Sequence, residues 1–193
     1  NNGAGGGNQG RIRTGGGAQI VNAGTWDDQT VGGTAISNDF GGAASSFTNN
    51  GTYTRSGSGT SDIAIAFNNT NAVALNAGTL RLSGGGTSSG TFTGTGASTL
   101  DFGGGTHSVS GAVDAVNVSF SGGTSTLTGS YRATGTTTAS GGTGNLNGTF
   151  TDANAPLAIS SGALNVSTAA PATFSTLDLS GGTLGGTQQV NFS

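Results

Sequence analysis

A short sequence motif recurs through most of this chain at a nearly constant interval. In one copy, Thr-Leu-Arg-Leu at residues 79–82 is followed by Gly-Gly-Gly-Thr at residues 84–87. The glycine-rich parts of successive copies end 18 to 20 residues apart, at Thr87, Thr106, Thr124, Thr143, Ala163 and Thr183. A period of this length is typical of a solenoid, in which each repeat is one coil and buries its apolar side on the next coil.

The two parts of the motif predict a strand and a sharp corner. In Leu80-Arg81-Leu82 the alternation places two apolar side chains inward and one outward, as in a strand. The glycines that follow can adopt positive φ, which lets the chain turn at the same place in every coil. Two further apolar series at fixed offsets indicate two more strands per coil, and no segment has a helical pattern. We therefore predict an all-β protein, a parallel β-solenoid with about 19 residues and three short strands per coil.

These offsets predict three inward columns of side chains, with one member per coil. The first inward column is Leu82, Phe102, Phe120, Ala139, Ile159 and Leu179. The second inward column is Val109, Leu127, Leu146 and Val166. The third inward column is Tyr53, Val73, Phe92, Ala112, Tyr131, Phe150, Ala170 and Val190. The expected stacking core is made of Tyr53, Phe92, Tyr131, Phe150, Leu82, Phe102, Phe120, Ile159 and Leu179.

An outward row runs beside the first inward column. Its members each precede a residue of that column: Arg81, Asp101, Ser119, Thr138, Ala158 and Asp178. Because Arg81 and Asp101 occupy equivalent places in consecutive coils, we expect them to be stacked neighbours at the surface.

The two ends of the chain differ in composition from its middle. Residues 1–17 are rich in Gly and Asn and hold one strand-like patch, Arg11-Ile12-Arg13, so this segment is predicted to be a docking strand or a linker. Residues 18–193 are predicted to form a single solenoid domain. Val190-Asn191-Phe192-Ser193 still alternates as an unfinished strand. Ile12, Val190 and Phe192 are therefore candidates for self-association through uncapped ends. The lack of an initiating Met and of a signal peptide favours a processed or truncated product.

Composition narrows the classes of partner. The chain has five Arg and eight Asp, with no Lys, Glu or Cys, and a formal net charge of −3. A protein with so little positive charge is poorly suited to nucleic acid or to an anionic membrane surface. No run of about 18 apolar residues is present, so no membrane span is expected. A chain rich in Gly, Ser, Thr and Asn without Lys, Glu or Cys favours an extracellular or cell-surface location in a bacterium.

Few residues suggest catalysis or metal binding. His107 is the single histidine, follows a corner and is expected to be exposed with a structural or neutral role, so no catalytic triad can be built around it. Asp27-Asp28 is the one adjacent acidic pair and the only candidate for a metal site, with a solvated turn as the alternative. Adjacent residues of a strand point to opposite faces, which argues against a shared ion. We predict no catalytic residue and no cofactor, and we expect Trp26 to belong to the core or to cover one end.

Thr-Xaa-Thr pairs invite comparison with ice-binding solenoids, whose flat faces carry regular threonine arrays. The pairs flanking the third inward column are Thr52/Thr54, Ala72/Ala74, Thr91/Thr93, Gly111/Val113, Ser130/Arg132 and Thr149/Thr151. The array is interrupted by pairs that contain no threonine and by the charged Arg132. The high β propensity of Thr explains the remaining pairs.

The repeat style, for example Leu-Asp-Leu-Ser-Gly-Gly-Thr at residues 177–183, resembles secreted bacterial surface proteins built as parallel β-solenoids. These include autotransporter passengers and filamentous-haemagglutinin-like adhesins, and the resemblance covers roughly residues 47–193. It implies an extended extracellular stalk or fibre and transfers no site residues.

We therefore expect a non-enzymatic structural protein, a subunit or segment of an extracellular fibre or surface adhesin. Its expected partner is itself, head to tail, or the further coils of a longer chain, with surface carbohydrate as another candidate. The alternative is a carbohydrate-active β-helix, either a lyase or a hydrolase, which would need clustered carboxylates in one groove. An ice-binding protein is the third alternative.

Overall fold

The computed structural model describes residues 10–151 and 154–193, and these residues form a parallel β-solenoid of about nine turns. The described residues contain 23 strands and no helix. Each strand pairs in parallel with the equivalent strand of a neighbouring coil. The predicted fold class is therefore confirmed.

Two of the three sides of the coil share one sheet of 14 strands. Its strands are β1 (Ile12–Arg13), β2 (Gln19–Asn22), β4 (Thr34–Ser37), β5 (Ser46–Asn49), β7 (Thr60–Ile63), β8 (Ala66–Asn69), β10 (Thr79–Leu82), β11 (Gly86–Ser88), β13 (Thr99–Val109), β15 (Asn117–Leu127), β17 (Thr137–Leu146), β19 (Leu157–Val166), β21 (Leu177–Leu179) and β22 (Thr183–Gly186). From β13 to β19 the strands of the two sides merge into single long strands that bend through the glycine corner.

The third side of the coil is a sheet of seven strands. They are β3 (Thr25–Asp28), β6 (Thr52–Arg55), β9 (Ala72–Leu75), β12 (Thr91–Gly94), β14 (Val113–Ala115), β16 (Ser130–Ala133) and β18 (Thr149–Phe150). A separate pair, β20 (Ala172–Phe174) and β23 (Val190–Phe192), continues this side in the last coils.

The glycine corners stack directly on one another. Gly105 and Gly123 have φ of 67° and 63°, and a Cβ on Gly123 would lie 2.1 Å from the carbonyl oxygen of Gly105. Side chains other than hydrogen are therefore excluded at Gly123 both by the positive φ and by the backbone of the preceding coil. This close approach explains why the glycines recur with the period of the coil.

The first inward column has the predicted register and extends further toward the amino terminus. It has nine members: Ile12, Ile36, Ile63, Leu82, Phe102, Phe120, Ala139, Ile159 and Leu179. The expected burial of Leu179 needs correction. It lies opposite Ile159, yet it is 50% exposed because no further coil packs over it.

The third inward column departs from the predicted spacing at two places. Val113, not Ala112, lies between Phe92 and Tyr131, because the coil that separates Phe92 from Val113 is longer than the next one. In the last coils Ala172 pairs with Val190, whereas Ala170 is exposed at a corner. Tyr53, Val73, Phe92, Tyr131 and Phe150 follow the predicted order, and Trp26 extends the column toward the amino terminus.

A further inward row lies two residues before the second inward column. We call it the Ile20–Leu184 row: Ile20, Phe47, Phe67, Gly86, His107, Ser125, Gly144, Leu164 and Leu184. Its small members leave room for large rings of the first inward column. A Cβ on Gly144, for example, would lie 2.9 Å from the Phe120 ring. The core is thus filled by pairing small residues on one side of the coil with aromatic residues on another.

Candidate functional site

The carboxyl-terminal coil presents an open apolar face. Leu177, Leu179 and Phe192 are 37%, 50% and 41% exposed, whereas the residues beneath them in the preceding coil, Leu157 and Ile159, are completely buried. Phe192 stacks on Phe174 with ring centroids 6.4 Å apart. The inward columns therefore reach this end without a polar cap over them.

The amino-terminal coil presents the other face. Ile12, Ile20 and Trp26 are half-buried and pack on the second coil, and the Trp26 ring stacks on Tyr53 at 6.5 Å. A cavity of about 70 Å³ opens beside Ile12 and Trp26 and is lined also by Asp28 and Gly10. Of the six exposed large apolar side chains among the described residues, all lie in the first two coils or the last one: Val21, Val31, Phe40, Leu177, Leu179 and Phe192.

The residues of the predicted docking segment that the structure describes belong to the first coil. Ile12 and Arg13 pair with Ile36 and Ser37, and the Thr14 amide donates to the Ser37 carbonyl at 2.7 Å. Arg11 and Arg13 both bind the Asp39 carboxylate, the latter at 2.7 Å. Residues 1–9 lie outside the described part of the chain, so the prediction for them stays a prediction.

Asp27 and Asp28 point to opposite faces of β3, as strand geometry requires. Asp27 is exposed and accepts hydrogen bonds from Gln29 and Ser56. Asp28 is buried, accepts the Tyr53 hydroxyl at 2.6 Å and the Thr30 amide at 3.0 Å, and so does not lie in a solvated turn. In the described part of the chain no three potential metal-binding side chains lie together.

The environment of Asp28 sets the protonation of two groups. Burial alone would raise the pKa of Asp28, but the neighbouring Ser61 hydroxyl and the hydrogen bonds from Tyr53 and Thr30 lower it below the ordinary value of 3.8. Burial and the Asp28 charge raise the pKa of Tyr53 well above 10.0. Asp28 is therefore ionised and Tyr53 neutral near pH 7, an arrangement that suits a structural hydrogen bond.

Arg55 completes this buried cluster. It follows Tyr53 by two residues in β6 and is 0% exposed. Its guanidinium donates to the carbonyls of Asp28 at 2.8 Å, Thr30 at 2.6 Å and Gly59 at 2.5 Å. Nε of Arg55 also lies 3.9 Å from the Asp28 carboxylate. Because every contact is to the solenoid itself, the cation ties neighbouring coils together and faces no open groove.

A ladder of buried amides replaces the second inward column in the early coils. Asn22 Nδ2 donates to Asn49 Oδ1 at 2.7 Å, and Asn49 Nδ2 donates to Asn69 Oδ1 at 2.9 Å. Each amide also donates to a backbone carbonyl, for example that of Ala72 from Asn49 at 2.9 Å. The chain turns at residues 50–51, and the Asn49 side chain just before this turn points into the core.

His107 is buried, so its expected exposure is wrong. Its ring packs on Phe102 with centroids 5.1 Å apart, and Nε2 lies 3.1 Å from the Leu82 carbonyl and 2.9 Å from the Gly104 carbonyl. Two acceptors at one nitrogen mean that Nε2 carries the proton in the neutral ring. Burial lowers the pKa of His107, partly offset by these two hydrogen bonds. The residue fills space in the Ile20–Leu184 row, where Ser125 of the next coil lies opposite it.

The outward charged row has the predicted register. Arg81 lies opposite Asp101, with Nε 3.7 Å from Oδ2, and Asp62 precedes Arg81 in the same row. Ser83 and Ser121 donate to Asp62 and Asp101 at 2.6 and 2.9 Å. Arg81 and Asp101 are stacked neighbours as expected, but Asp101 is buried, so its expected surface position is wrong. Arg81 offsets one of the two carboxylates, so these three residues carry a net charge of −1.

A shallow groove of about 320 Å³ lies along the second side of the solenoid. It is lined by Asn69, Thr70, Thr87, Ser88, Ser89, Ser108, Val109, Ser110, Thr126 and Thr128. The lining contains no carboxylate, so the groove lacks the acid–base pair that glycoside hydrolysis requires. Hydroxyls of this kind hydrogen-bond to water as readily as to a ligand.

The threonine pairs of the third side form an interrupted array. The rung after Thr91/Thr93 is Ala112/Asp114, in place of the expected Gly111/Val113. Asp114 pairs with Arg132 of the next rung at 2.9 Å. This ion pair projects charge in the middle of the face, where an ice-binding surface would need a flat threonine array.

Comparisons with known proteins give no further lead. No protein-family model, no curated protein and no solved structure matches the chain. Among the described residues, no helix is long and apolar enough to span a membrane. Among the described residues, the distinguishing features are the exposed apolar side chains of the last coil and the polar groups buried near the first coil.

Proposed function

We propose that this chain is a non-enzymatic structural segment of an extracellular bacterial fibre or surface adhesin, in which the coil stack continues beyond both described ends. One observation carries the proposal. The apolar columns run to the last coil, where Leu179 remains 50% exposed and Phe192 41% exposed. Exposed apolar surface above an open strand edge is a template for another β-coil, because its unpaired N–H and C=O groups can bond to the next strand.

The long sides of the solenoid support the same function. The groove on the second side has hydroxyls and an amide, and the row on the first side carries charged side chains, among them the Arg81–Asp101 ion pair. Such sides keep an elongated object soluble while its ends carry the apolar surface. The absence of Lys, Glu and Cys and the repeat style that resembles bacterial surface solenoids favour an extracellular location.

The coils that cover the ends come from a second copy of this chain or from the remainder of a longer protein. Coils from either source would continue the inward columns of this chain, so either would produce a fibre or stalk. The mass of the denatured native protein separates the two sources. A native chain of about the 18.3 kDa computed for these residues points to assembly of copies, and a far larger one points to further coils.

The proposal is tested by localising and imaging the native protein in its cell of origin. Surface labelling with an antibody, together with negative-stain electron microscopy of shed material, should reveal elongated particles about one coil wide. An intracellular protein of 18.3 kDa that is compact and monomeric would contradict the proposal.

A further inference from the structure

We propose that the carboxyl-terminal coil binds the amino-terminal coil of a second copy of this chain in line, with the first and third inward columns, the Ile20–Leu184 row and the outward charged row in register. This inference rests on the proposed structural role and names the partner and geometry of the end contact.

The two end faces carry the terminal members of the same columns. Leu179 and Ile12 end the first inward column, and Leu184 and Ile20 end the Ile20–Leu184 row. A copy placed one strand spacing beyond β21, about 4.8 Å, would set Ile12 over Leu179 and Ile20 over Leu184. These contacts repeat the kind of stacking made inside the chain, where Ile159 lies on Leu179 and Leu164 on Leu184.

The third side continues in the same manner. Phe150, Phe174 and Phe192 form an aromatic series, with ring centroids 5.0 and 6.4 Å apart. At the other end Trp26 begins the third inward column and stacks on Tyr53. A second copy in register would bring Trp26 onto Val190 and would also cover Phe192, two residues further along the same strand. The half-buried indole and the exposed phenyl ring would then both be covered.

Charge fixes the polarity of this contact. Asp178 precedes Leu179 as Arg11 precedes Ile12, so both belong to the outward charged row. Asp178 is exposed and forms no ion pair within the described residues. Arg11 and Arg13 share the single Asp39 carboxylate, which leaves positive charge at the amino-terminal face. In-line docking sets Asp178 against Arg11, whereas two carboxyl-terminal faces would oppose like charges. Such pairing contributes more to orientation than to affinity.

Because the two faces differ, the contact is heterologous and does not close on itself. Repetition of one translation along the solenoid axis therefore yields an open filament rather than a dimer. A contact between two identical ends would instead stop at two chains.

The experiment uses variants that block one face each. Leu179→Lys places a charge on the carboxyl-terminal face, and Ile12→Lys places one on the amino-terminal face. Ser108→Lys adds the same charge on the exposed side and serves as the matched control. Circular dichroism and thermal unfolding establish that each variant is folded. Arg11→Asp is a second amino-terminal variant that changes an exposed side chain without removing an apolar one.

Sedimentation velocity across a hundredfold range of concentration then reports association. Wild type and Ser108→Lys should form a growing series of elongated species. Each blocked variant alone should remain a monomer. An equimolar mixture of Leu179→Lys with Ile12→Lys, or with Arg11→Asp, should form a heterodimer, because each partner retains the face that the other lacks.

Three results would overturn the inference. The wild type could remain a monomer at every concentration, or the blocked variants could associate as the wild type does. The third is a mixture of blocked variants that forms no heterodimer although the wild type forms elongated species. None of these results would exclude an extracellular fibre made by one long chain, so this inference can fail while the proposed function stands.

Discussion

The guanidinium of Arg55 lies 3.9 Å from the carboxylate of Asp28, and water reaches neither group freely, since Arg55 is 0% and Asp28 5% exposed. The pair joins residues 27 positions apart in the first two coils of the third side. Burying two charges is costly unless both are fully hydrogen-bonded, and here carbonyls, a hydroxyl and an amide complete the shells.

Replacing one member of this pair should destabilise the protein strongly. Asp28→Asn or Arg55→Met leaves the other charge buried and uncompensated, at a cost of about 3–5 kcal/mol in the free energy of unfolding. Urea unfolding followed by circular dichroism measures the change. Arg132→Met is the matched control, because its partner Asp114 is exposed and the pair should contribute about 0–1 kcal/mol. Equal effects of Arg55→Met and Arg132→Met would contradict the buried cluster.

The amide ladder makes a prediction about a single asparagine. Asn49→Ala removes the acceptor of Asn22 and the donor to Asn69, so each leaves buried hydrogen-bonding capacity unfilled. We expect a loss of about 1–3 kcal/mol for each unsatisfied group. The neighbouring Asn50→Ala serves as the control, because Asn50 is exposed and should change stability by about 0.5 kcal/mol or less. Comparison of the two urea midpoints decides whether Asn49 points inward in solution.

His107 predicts a weakening of the fold in mild acid. Its pKa in the folded protein is lowered, chiefly by burial, from the ordinary 6.5, so the unfolded chain takes up the proton first. The free energy of unfolding should therefore fall as the pH drops below about 6.5 and be unaffected by this group above it. His107→Gln should remove that slope, measured by urea unfolding between pH 5 and 8. Asp28 acts in a different window, since its lowered pKa affects stability only below about 3.8.

The third inward column predicts a large effect at Phe92. Phe92 is completely buried between Val73 and Val113, so Phe92→Ala should cost about 3–5 kcal/mol. Phe40→Ala is the control, because the ring is 68% exposed and contacts Arg13 at 4.7 Å, a contribution of about 0.5–1 kcal/mol. Thermal unfolding that is unchanged in Phe92→Ala would place the ring in solvent.

The alternation of inward and outward positions along each strand predicted which residues are buried better than residue polarity did. His107 stands two residues before Val109, Asn49 two after Phe47, Asp28 two after Trp26 and Arg55 two after Tyr53. Each polar residue thus shares the inward face of its strand with an apolar residue of the core. The alternation was the correct guide, and the ordinary preference of polar residues for the surface was misleading at these positions.

By itself, the sequence determined the coil, its length and the register of the first inward column, because a constant spacing between glycine corners leaves one way to stack Leu82, Phe102 and Phe120. Only the tertiary structure decided which polar side chains could lie inside. Asp28 and Arg55 can be buried because each forms hydrogen bonds with groups in the neighbouring coil, 25 to 27 residues away in the sequence. The Tyr53 hydroxyl donates to Asp28, and Arg55 donates to the carbonyls of Thr30 and Asp28. In those coils the repeat is too irregular for its spacing to predict which side chains form these hydrogen bonds. The exposure of Leu179 was likewise decided in three dimensions, since a side chain in the inward column is buried only when another coil covers it.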